Sequence, residues 1–140
     1  MKEALFGLEG YNFPKVMLDF SNVQPLNNSY KLAIEPEGEF DAQAGKFTLT
    51  FRFVAMIQVG EEMKSCVEVV CVGLFTFKDV RAVEDIPSYF YANSIAILFP
   101  YVRAFVSTLS LQANYTPIVL PTMNLSDLST VLKKHVKVVK

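Results

Sequence analysis

Apolar and polar residues alternate with a period of two through the first half of the chain, as they do in half-buried β-strands. The clearest run places these residues on one face: Phe47, Leu49, Phe51, Phe53, Ala55, Ile57 and Val59. A tight turn at Gly60 follows, and the next predicted strand, to about residue 78, is apolar on both faces. With two weaker runs upstream, near residues 16–21 and 30–34, the pattern predicts four strands between about residues 13 and 78.

In the second half the apolar residues recur with the period of a helix. One helix is predicted over about residues 93–112, with Asn93 or Ser94 as its N-cap and Pro100 as a kink or break. It is apolar almost all round, so we expect it to be buried on several sides. A last helix is predicted over about residues 125–137, with Asn124 as its N-cap. The order predicts one α+β domain spanning residues 1–140, with the strands first and the helices after them.

The composition indicates more apolar surface than one small domain can bury. Hydrophobic residues make up 51% of the 140 residues and charged residues only 19%. The predicted strand with two apolar faces needs a second layer to cover it, beyond the helices of its own chain. Another copy of the chain is the simplest such layer, and we therefore expect a homo-oligomer, either a dimer or a tetramer.

Charge and cysteine content exclude several classes of protein. A net charge of -1 argues against a protein that binds nucleic acid through its phosphates. Cys66 and Cys71 lie five positions apart on opposite faces of one predicted strand, about 17 Å apart and too far for a disulfide. No apolar run has the features of a signal peptide or membrane span. We expect a soluble, cytoplasmic protein with no membrane insertion, metal or cofactor.

The usual catalytic arrangements are missing from the sequence. His135 is the only histidine and lies among lysines, where no nucleophile or orienting acid accompanies it. No glycine-rich phosphate-binding loop occurs. The carboxylate pairs Glu37/Glu39 and Glu61/Glu62 fall in predicted exposed turns. These residues favour a binding protein over an enzyme.

Two motifs resemble the SecB family of protein-export chaperones. The stretch Ile97–Arg103, ILFPYVR, is similar to that family's ILFPYAR helix, and Leu120–Leu128 is similar to its entry to the last helix. Gly60–Glu62 and Val67–Val69 are similar to its third-to-fourth-strand hairpin. The resemblance implies a four-stranded antiparallel sheet with two helices per subunit. It also implies a dimer of dimers, in which the long kinked helix is sandwiched between two sheets.

The same resemblance implies an ATP-independent holdase for unfolded preproteins. Such a protein needs no catalytic group, because binding the unfolded chain shifts its folding equilibrium by mass action. Client grooves are expected between the last helix, the connection after the first strand and the sheet. From period and position we assign to these grooves Leu26, Tyr30, Leu32, Phe40, Leu128 and Leu132. To the oligomer interface we assign Val67, Val69, Cys71, Val102, Phe105 and Val106.

In the SecB family, acidic residues on the outer face of the sheet dock the translocase motor SecA. Glu68 and Asp19 match that face, whereas other acidic positions of the family are Met17 and Ser21 here, and the basic segment Lys133–Lys137 replaces the family's tail. These departures leave open a SecB-like chaperone of another client, such as the antitoxin of a toxin–antitoxin module. A purely structural oligomer subunit, a thioesterase-like enzyme and a small hydrophobic-ligand binding domain remain alternatives; the last needs a closed apolar pocket.

Overall fold

The computed structural model describes residues 5–21, 30–115, 118–120 and 124–139. One sheet contains five strands: β1 (Phe6–Leu18), β2 (Lys31–Asp41), β3 (Lys46–Val59), β4 (Glu62–Phe77) and β5 (Val136–Val139). Their order is β1-β4-β3-β2-β5, and every pair is antiparallel except β2 with β5. The helices of the described chain are a 3-10 turn at Val83–Asp85, α1 (Phe90–Gln112) and α2 (Leu125–Lys134).

The two central strands, β3 and β4, follow the sequence pattern closely. They are joined by a tight turn in which Gly60 has a φ of 63°, a conformation that favours glycine. Residues 47–55 of β3 alternate as predicted, with every second side chain fully buried on the inner face of the sheet. The matching inner residues of β4 are Val67, Val69, Cys71, Gly73, Phe75 and Phe77. Inner-face alternation therefore fixes the register of this hairpin.

The sheet has five strands rather than the predicted four, because the last predicted helix ends early. α2 stops at Lys134, and His135 leaves helical geometry with φ -120° and ψ 44°. Val136–Val139 then pairs with the outer edge of β2 as β5. Three of these four residues are valines, whose β-branched side chains favour strands over helices. The strand preference of these valines outweighs the helical period, which predicts a helix to residue 137.

Helix α1 begins at Phe90, earlier than predicted, and continues through Pro100 without a break in its assignment. Tyr89 occupies the N-cap position and makes no side-chain capping hydrogen bond, so neither Asn93 nor Ser94 is the cap. The Phe90 ring instead packs at 4.7–5.5 Å, centroid to centroid, from four phenylalanine rings of the sheet: Phe6, Phe47, Phe75 and Phe77. Aromatic packing, rather than a polar cap, holds the start of the helix.

The core lies between the inner face of the sheet and α1. Leu98, Val102 and Val106 of α1 are fully buried against it. Gly73 of β4 permits this approach, because a Cβ at that position would lie 3.0 Å from Cδ1 of Leu98. Glycine at this point in a strand therefore brings helix and sheet into close contact.

Helix α2 covers β2 and also contacts α1. Asn124 is its predicted N-cap, and the structure confirms this. The Asn124 Oδ1 atom accepts hydrogen bonds from the backbone N–H groups of Ser126 at 3.0 Å and Asp127 at 3.3 Å. Leu128 and Leu132 form the buried face of this helix. The capping hydrogen bonds thus fix where this ten-residue helix begins, and the two leucines fix which of its sides is buried.

By length and composition alone, α1 could cross a membrane. It has 23 residues, and 39% of its most apolar stretch is buried in the subunit. The sequence pattern predicts no such span, because the apolar run Ile95–Val106 is shorter than a membrane span and contains Arg103. The core helix of a soluble protein passes the same test.

Candidate client-binding site

The predicted groove residues are found on β2, just before it and on α2. Phe40 and Leu132 are fully buried, and Leu128 is nearly so. Tyr30 and Leu32, at the beginning of β2, are half-buried and pack against the core. Leu26 lies outside the described residues. The space between α2 and β2 is therefore filled by the subunit's own side chains, and its accessible part is at the Tyr30 end.

Burial also acts on the Tyr30 hydroxyl, whose pKa is raised above its usual value. Removal from water is the main cause, and a smaller contribution comes from Cys66. A tyrosine that is half-buried here presents an apolar ring with a hydroxyl that stays protonated at neutral pH. Such a side chain can contact an apolar client and also donate one hydrogen bond.

The residues predicted for the oligomer interface lie mostly inside the subunit itself. Five of the six are fully buried against the subunit's own chain: Val67, Val69, Cys71, Val102 and Val106. Phe105 is half-buried, and its ring stacks on that of Phe13 in β1 at 4.1 Å. These positions therefore form the contact between the sheet and α1 of one subunit.

The opposite side of α1 is apolar and exposed. Ile97 is 37% exposed, Tyr101 41% and Leu111 57%. The Tyr101 ring stacks at 4.2 Å on that of Tyr11 in β1, which is itself 43% exposed, so the two rings form an open aromatic pair. We call Ile97, Tyr101, Leu111 and Tyr11 the open apolar surface. Sequence reasoning missed Tyr11, because β1 was predicted to begin only at about residue 13.

On the outer face of the sheet, Glu68 is held by two cations of its own subunit. Lys15 Nζ lies 3.0 Å from Glu68 Oε1, and Arg52 Nε donates a hydrogen bond to Oε2 at 2.8 Å. Arg52 also reaches Glu35, with Nη1 and Oε2 3.1 Å apart. These hydrogen bonds, first from Lys15 and then from Arg52, lower the pKa of Glu68. The network links four strands and neutralises the carboxylate predicted to dock a motor.

Asp19, the second predicted docking acid, also has partners within the subunit. Its carboxylate accepts hydrogen bonds from the Ser21 hydroxyl and from the Ser21 backbone N–H, the latter at 3.0 Å. The hydroxyl contact is the main reason that the pKa of Asp19 is lowered. The backbone N–H of Asp19 bonds to the carbonyl of Cys66 at 2.8 Å. Asp19 thus stabilises the end of β1 as a local turn.

The cysteines are free and buried, as expected, but they do not lie on opposite faces. Cys66 occupies an irregular position of β4, where Ala55 pairs with Val67 and Met56 with Ser65, so it also enters the core. Its thiol donates to the carbonyl of Ala55 at 3.3 Å. Burial raises the pKa of both thiols, that of Cys71 to about 11. Both thiols are therefore protonated and poor nucleophiles at neutral pH.

The metal-ligating side chains and the main surface cavity of the described residues bear on two of the alternative functions. Over residues 5–21, 30–115, 118–120 and 124–139, no group of three or more metal-ligating side chains is present. A cavity of about 490 Å³ lies on the outer face of the sheet between β1, β3 and β4. It is open to solvent and includes Glu9, Asn12 and Thr48, unlike the closed apolar pocket that a hydrophobic ligand requires.

The chain matches a known family over most of its length. A family model described as preprotein translocase subunit SecB matches residues 7–134. The chain belongs to the SecB family. The match covers strands β1 to β4 and both helices, and it stops before β5.

Individual relatives are more distant. The chain is 28% identical to the protein-export protein SecB of Magnetococcus marinus over 123 residues, which are 88% of this chain and 68% of that protein. It is 43% identical over 48 residues to the uncharacterised protein MJ0357 of Methanocaldococcus jannaschii. That alignment spans 34% of this chain and 31% of the archaeal protein.

Among solved structures, the SecB-like chaperone Rv1957 of Mycobacterium tuberculosis superposes with a TM-score of 0.62. The superposition covers 85% of this chain and 91% of that chain, at 17% sequence identity. Rv1957 was solved in complex with a ChAD peptide from the Rv1956 HigA1 antitoxin. The likeness shows that the two chains share a fold.

Proposed function

We propose that this chain is an ATP-independent holdase that binds unfolded polypeptides in the cytoplasm, without catalysis. The observation that carries the proposal is the apolar surface that the chain leaves uncovered, on the open side of α1 and at the Tyr30 end of the groove. A subunit that binds no other chain has little reason to leave Ile97, Tyr101 and Leu111 in contact with water. Membership of the SecB family supports the same function.

Part of this surface is proposed to hold a second copy of the chain. The open side of α1 carries exposed apolar side chains at Ile97, Tyr101 and Leu111, whereas the predicted interface residues other than Phe105 have no accessible surface. A second α1 packed there would cover Ile97 and Leu111 and give the helix the two apolar neighbours that its sequence requires. The expected assembly is a dimer or a dimer of dimers.

Clients are proposed to bind at the end of the groove that remains accessible, next to Tyr30 and Leu32. Both residues are partly buried and pack against the core. Apolar contacts of this kind give affinity with little sequence selectivity. Binding shifts the client's folding equilibrium by about 2.7 kcal/mol when the free chaperone is at 100 times its Kd.

Export through SecA and a dedicated role for another client are the two forms that this function can take. The pairing of Glu68 with Lys15 and Arg52 favours the dedicated role, because a neutralised carboxylate attracts a basic partner only weakly. Asp19 is likewise bonded to Ser21. An antitoxin is a reasonable client class, since a SecB-like chaperone of the same fold was solved with an antitoxin peptide.

Suppression of aggregation tests the holdase function. A reduced, unfolded export substrate is diluted from denaturant with and without this protein, and light scattering is followed. We expect scattering to fall progressively until the two are stoichiometric, in the absence of ATP. Unchanged scattering at equal concentrations, with the added protein folded, would contradict the proposal. SecA and an antitoxin peptide, added separately, distinguish the two forms of the function. Binding to SecA supports export, and binding to the antitoxin peptide without binding to SecA supports the dedicated role.

A further inference from the structure

Strand β5 is attached to the sheet on one side only. Its four residues pair in parallel with Gly38–Asp41 of β2, and the Gly38 N–H donates to the His135 carbonyl at 3.0 Å. Parallel strands are normally covered on both faces, yet Lys137, Val138 and Val139 are all exposed. Val136 is the one side chain of β5 that packs partly against the core.

This attachment can open without disturbing the rest of the fold. Helix α2 has anchors of its own: Leu132 is fully buried, and Lys133 Nζ lies 5.9 Å from the centroid of the Tyr91 ring. Only His135 separates the end of α2 from β5. Short edge segments with few buried contacts open at much lower free energy than the whole protein. β5 can therefore detach while α2 remains docked on β2.

The edge that β5 covers lies at the Phe40 end of the proposed client groove, opposite its accessible Tyr30 end. Val138 is the register partner of Phe40, and α2, which closes the groove, leads directly into β5. The SecB family model ends at residue 134, so β5 lies outside the part of the fold that matches the family. The strand thus combines a position beside the groove with an attachment that is separate from the family core.

β5 also indicates which kind of chain the edge of β2 accepts. Its sequence, Val-Lys-Val-Val, is β-branched and apolar except for Lys137, which is the register partner of Glu39. Extended peptides bind exposed sheet edges by main-chain hydrogen bonds, with alternate side chains giving the selectivity. An unfolded client contains many segments of this composition.

We propose that β5 occupies a client-binding edge and that an extended, β-branched client segment takes its place on β2 by strand exchange. The inference rests on the proposed holdase function and adds a second client contact, at the Phe40 end of the groove, to the one proposed next to Tyr30. The apparent affinity for clients is then the affinity of the free edge multiplied by the fraction of time that β5 is detached. If the edge is free about a tenth of the time, a variant without a docked β5 binds about tenfold more tightly.

Two proline variants test the exchange. Because backbone groups alternate along a strand and the His135 carbonyl faces β2, the N–H of Lys137 faces β2 and that of Val138 faces solvent. Lys137→Pro therefore removes a donor to β2, whereas Val138→Pro, the matched control, leaves the donors to β2 intact. We expect Lys137→Pro to bind carboxymethylated α-lactalbumin, a permanently unfolded protein without free thiols, about tenfold more tightly. Equal affinities of the two variants and the original chain would contradict the exchange.

A reversible disulfide between β2 and β5, which we call the lock, should weaken client binding instead of strengthening it. The variant Glu39→Cys, Lys137→Cys places two cysteines on exposed, register-paired positions of β2 and β5, close enough for a disulfide. Cys66 and Cys71 are buried and protonated, so they compete poorly for oxidation. We expect the oxidised form to bind the same client at least about tenfold more weakly and the reduced form to recover.

Failure of this inference and failure of the holdase function give different results. If the original chain does not bind the unfolded client, the holdase function is wrong. If it binds and the oxidised lock binds equally well, the holdase function stands and strand exchange is wrong. Hydrogen exchange adds a local readout: a bound client should expose the Val139 amide and keep the Gly38 amide protected. Continued protection of Val139 in the complex would overturn the exchange.

Discussion

The two sides of α1 are similar in chemistry and opposite in exposure. One side places Leu98, Val102 and Val106 against the sheet, fully buried. The other side leaves Ile97, Tyr101 and Leu111 at the surface. Hydrophobicity alone therefore does not decide which residues form the subunit's core, since the sheet can cover only one side of a helix. The uncovered side of α1 stays in contact with solvent.

The largest effect on stability is expected from the buried side. Leu98→Ala should destabilise the subunit by about 2–5 kcal/mol, because it leaves a cavity beside Gly73 that the sheet cannot close. Denaturant unfolding followed by circular dichroism measures this change. The matched control is Ile97→Ala, one residue away on the exposed side, which should cost less than about 1 kcal/mol in the isolated subunit. Equal costs for the two variants would contradict the assignment of the two sides.

The N-cap of α2 should have a smaller effect on stability and a clear effect on binding. Asn124→Ala removes the acceptor for two backbone N–H groups and should destabilise α2 by about 1 kcal/mol. Because α2 covers Phe40, a less stable α2 should increase client binding as measured by fluorescence anisotropy. Asn124→Ser, which keeps a capping oxygen, is the control. Weaker client binding by the alanine variant would indicate that α2 forms the site rather than covers it.

The Glu68 network should give the smallest effect, visible as a dependence on pH. The pKa of Glu68 is lowered in the folded state, so its contribution to stability is present above the ordinary carboxyl pKa. That contribution is lost as the pH falls through the lowered folded-state value. Glu68→Gln should therefore be less stable than the original chain at pH 7, and the difference should shrink in acid. Glu61→Gln, in the exposed turn after β3, is the control; a similar pH response of the two variants would contradict the network's role.

The hairpin of β3 and β4 and the cap of α2 were predictable, because each depends on neighbours in the sequence. Alternation from Phe47 to Ile57 has one buried face, and Asn124 bonds to residues two and three positions on. The start of α1 was missed because Phe90 is held by aromatic rings distant in sequence. β5 was missed because its partner, Gly38–Asp41, lies almost 100 residues earlier.

The candidate site was predictable only in part, and for the same reason. The period of α2 identified Leu128 and Leu132 correctly as its apolar face, but it does not show whether such a face is covered or open. Likewise, Val102 and Val106 were assigned to an interface, although the subunit's own sheet covers them. Exposure depends on which elements pack together, and the sequence pattern contains that information only indirectly.

The central claim is that two uncovered apolar regions have separate roles: the open apolar surface holds a second copy of this chain, and the groove between α2 and β2 binds unfolded clients. Native mass spectrometry of the purified protein, alone and mixed with carboxymethylated α-lactalbumin, measures both properties together. The account predicts a dimer or tetramer that gains the mass of the unfolded client, and it predicts that Ile97→Asp with Tyr101→Ser dissociates the oligomer. A monomer whose mass does not change when the unfolded protein is added would contradict it.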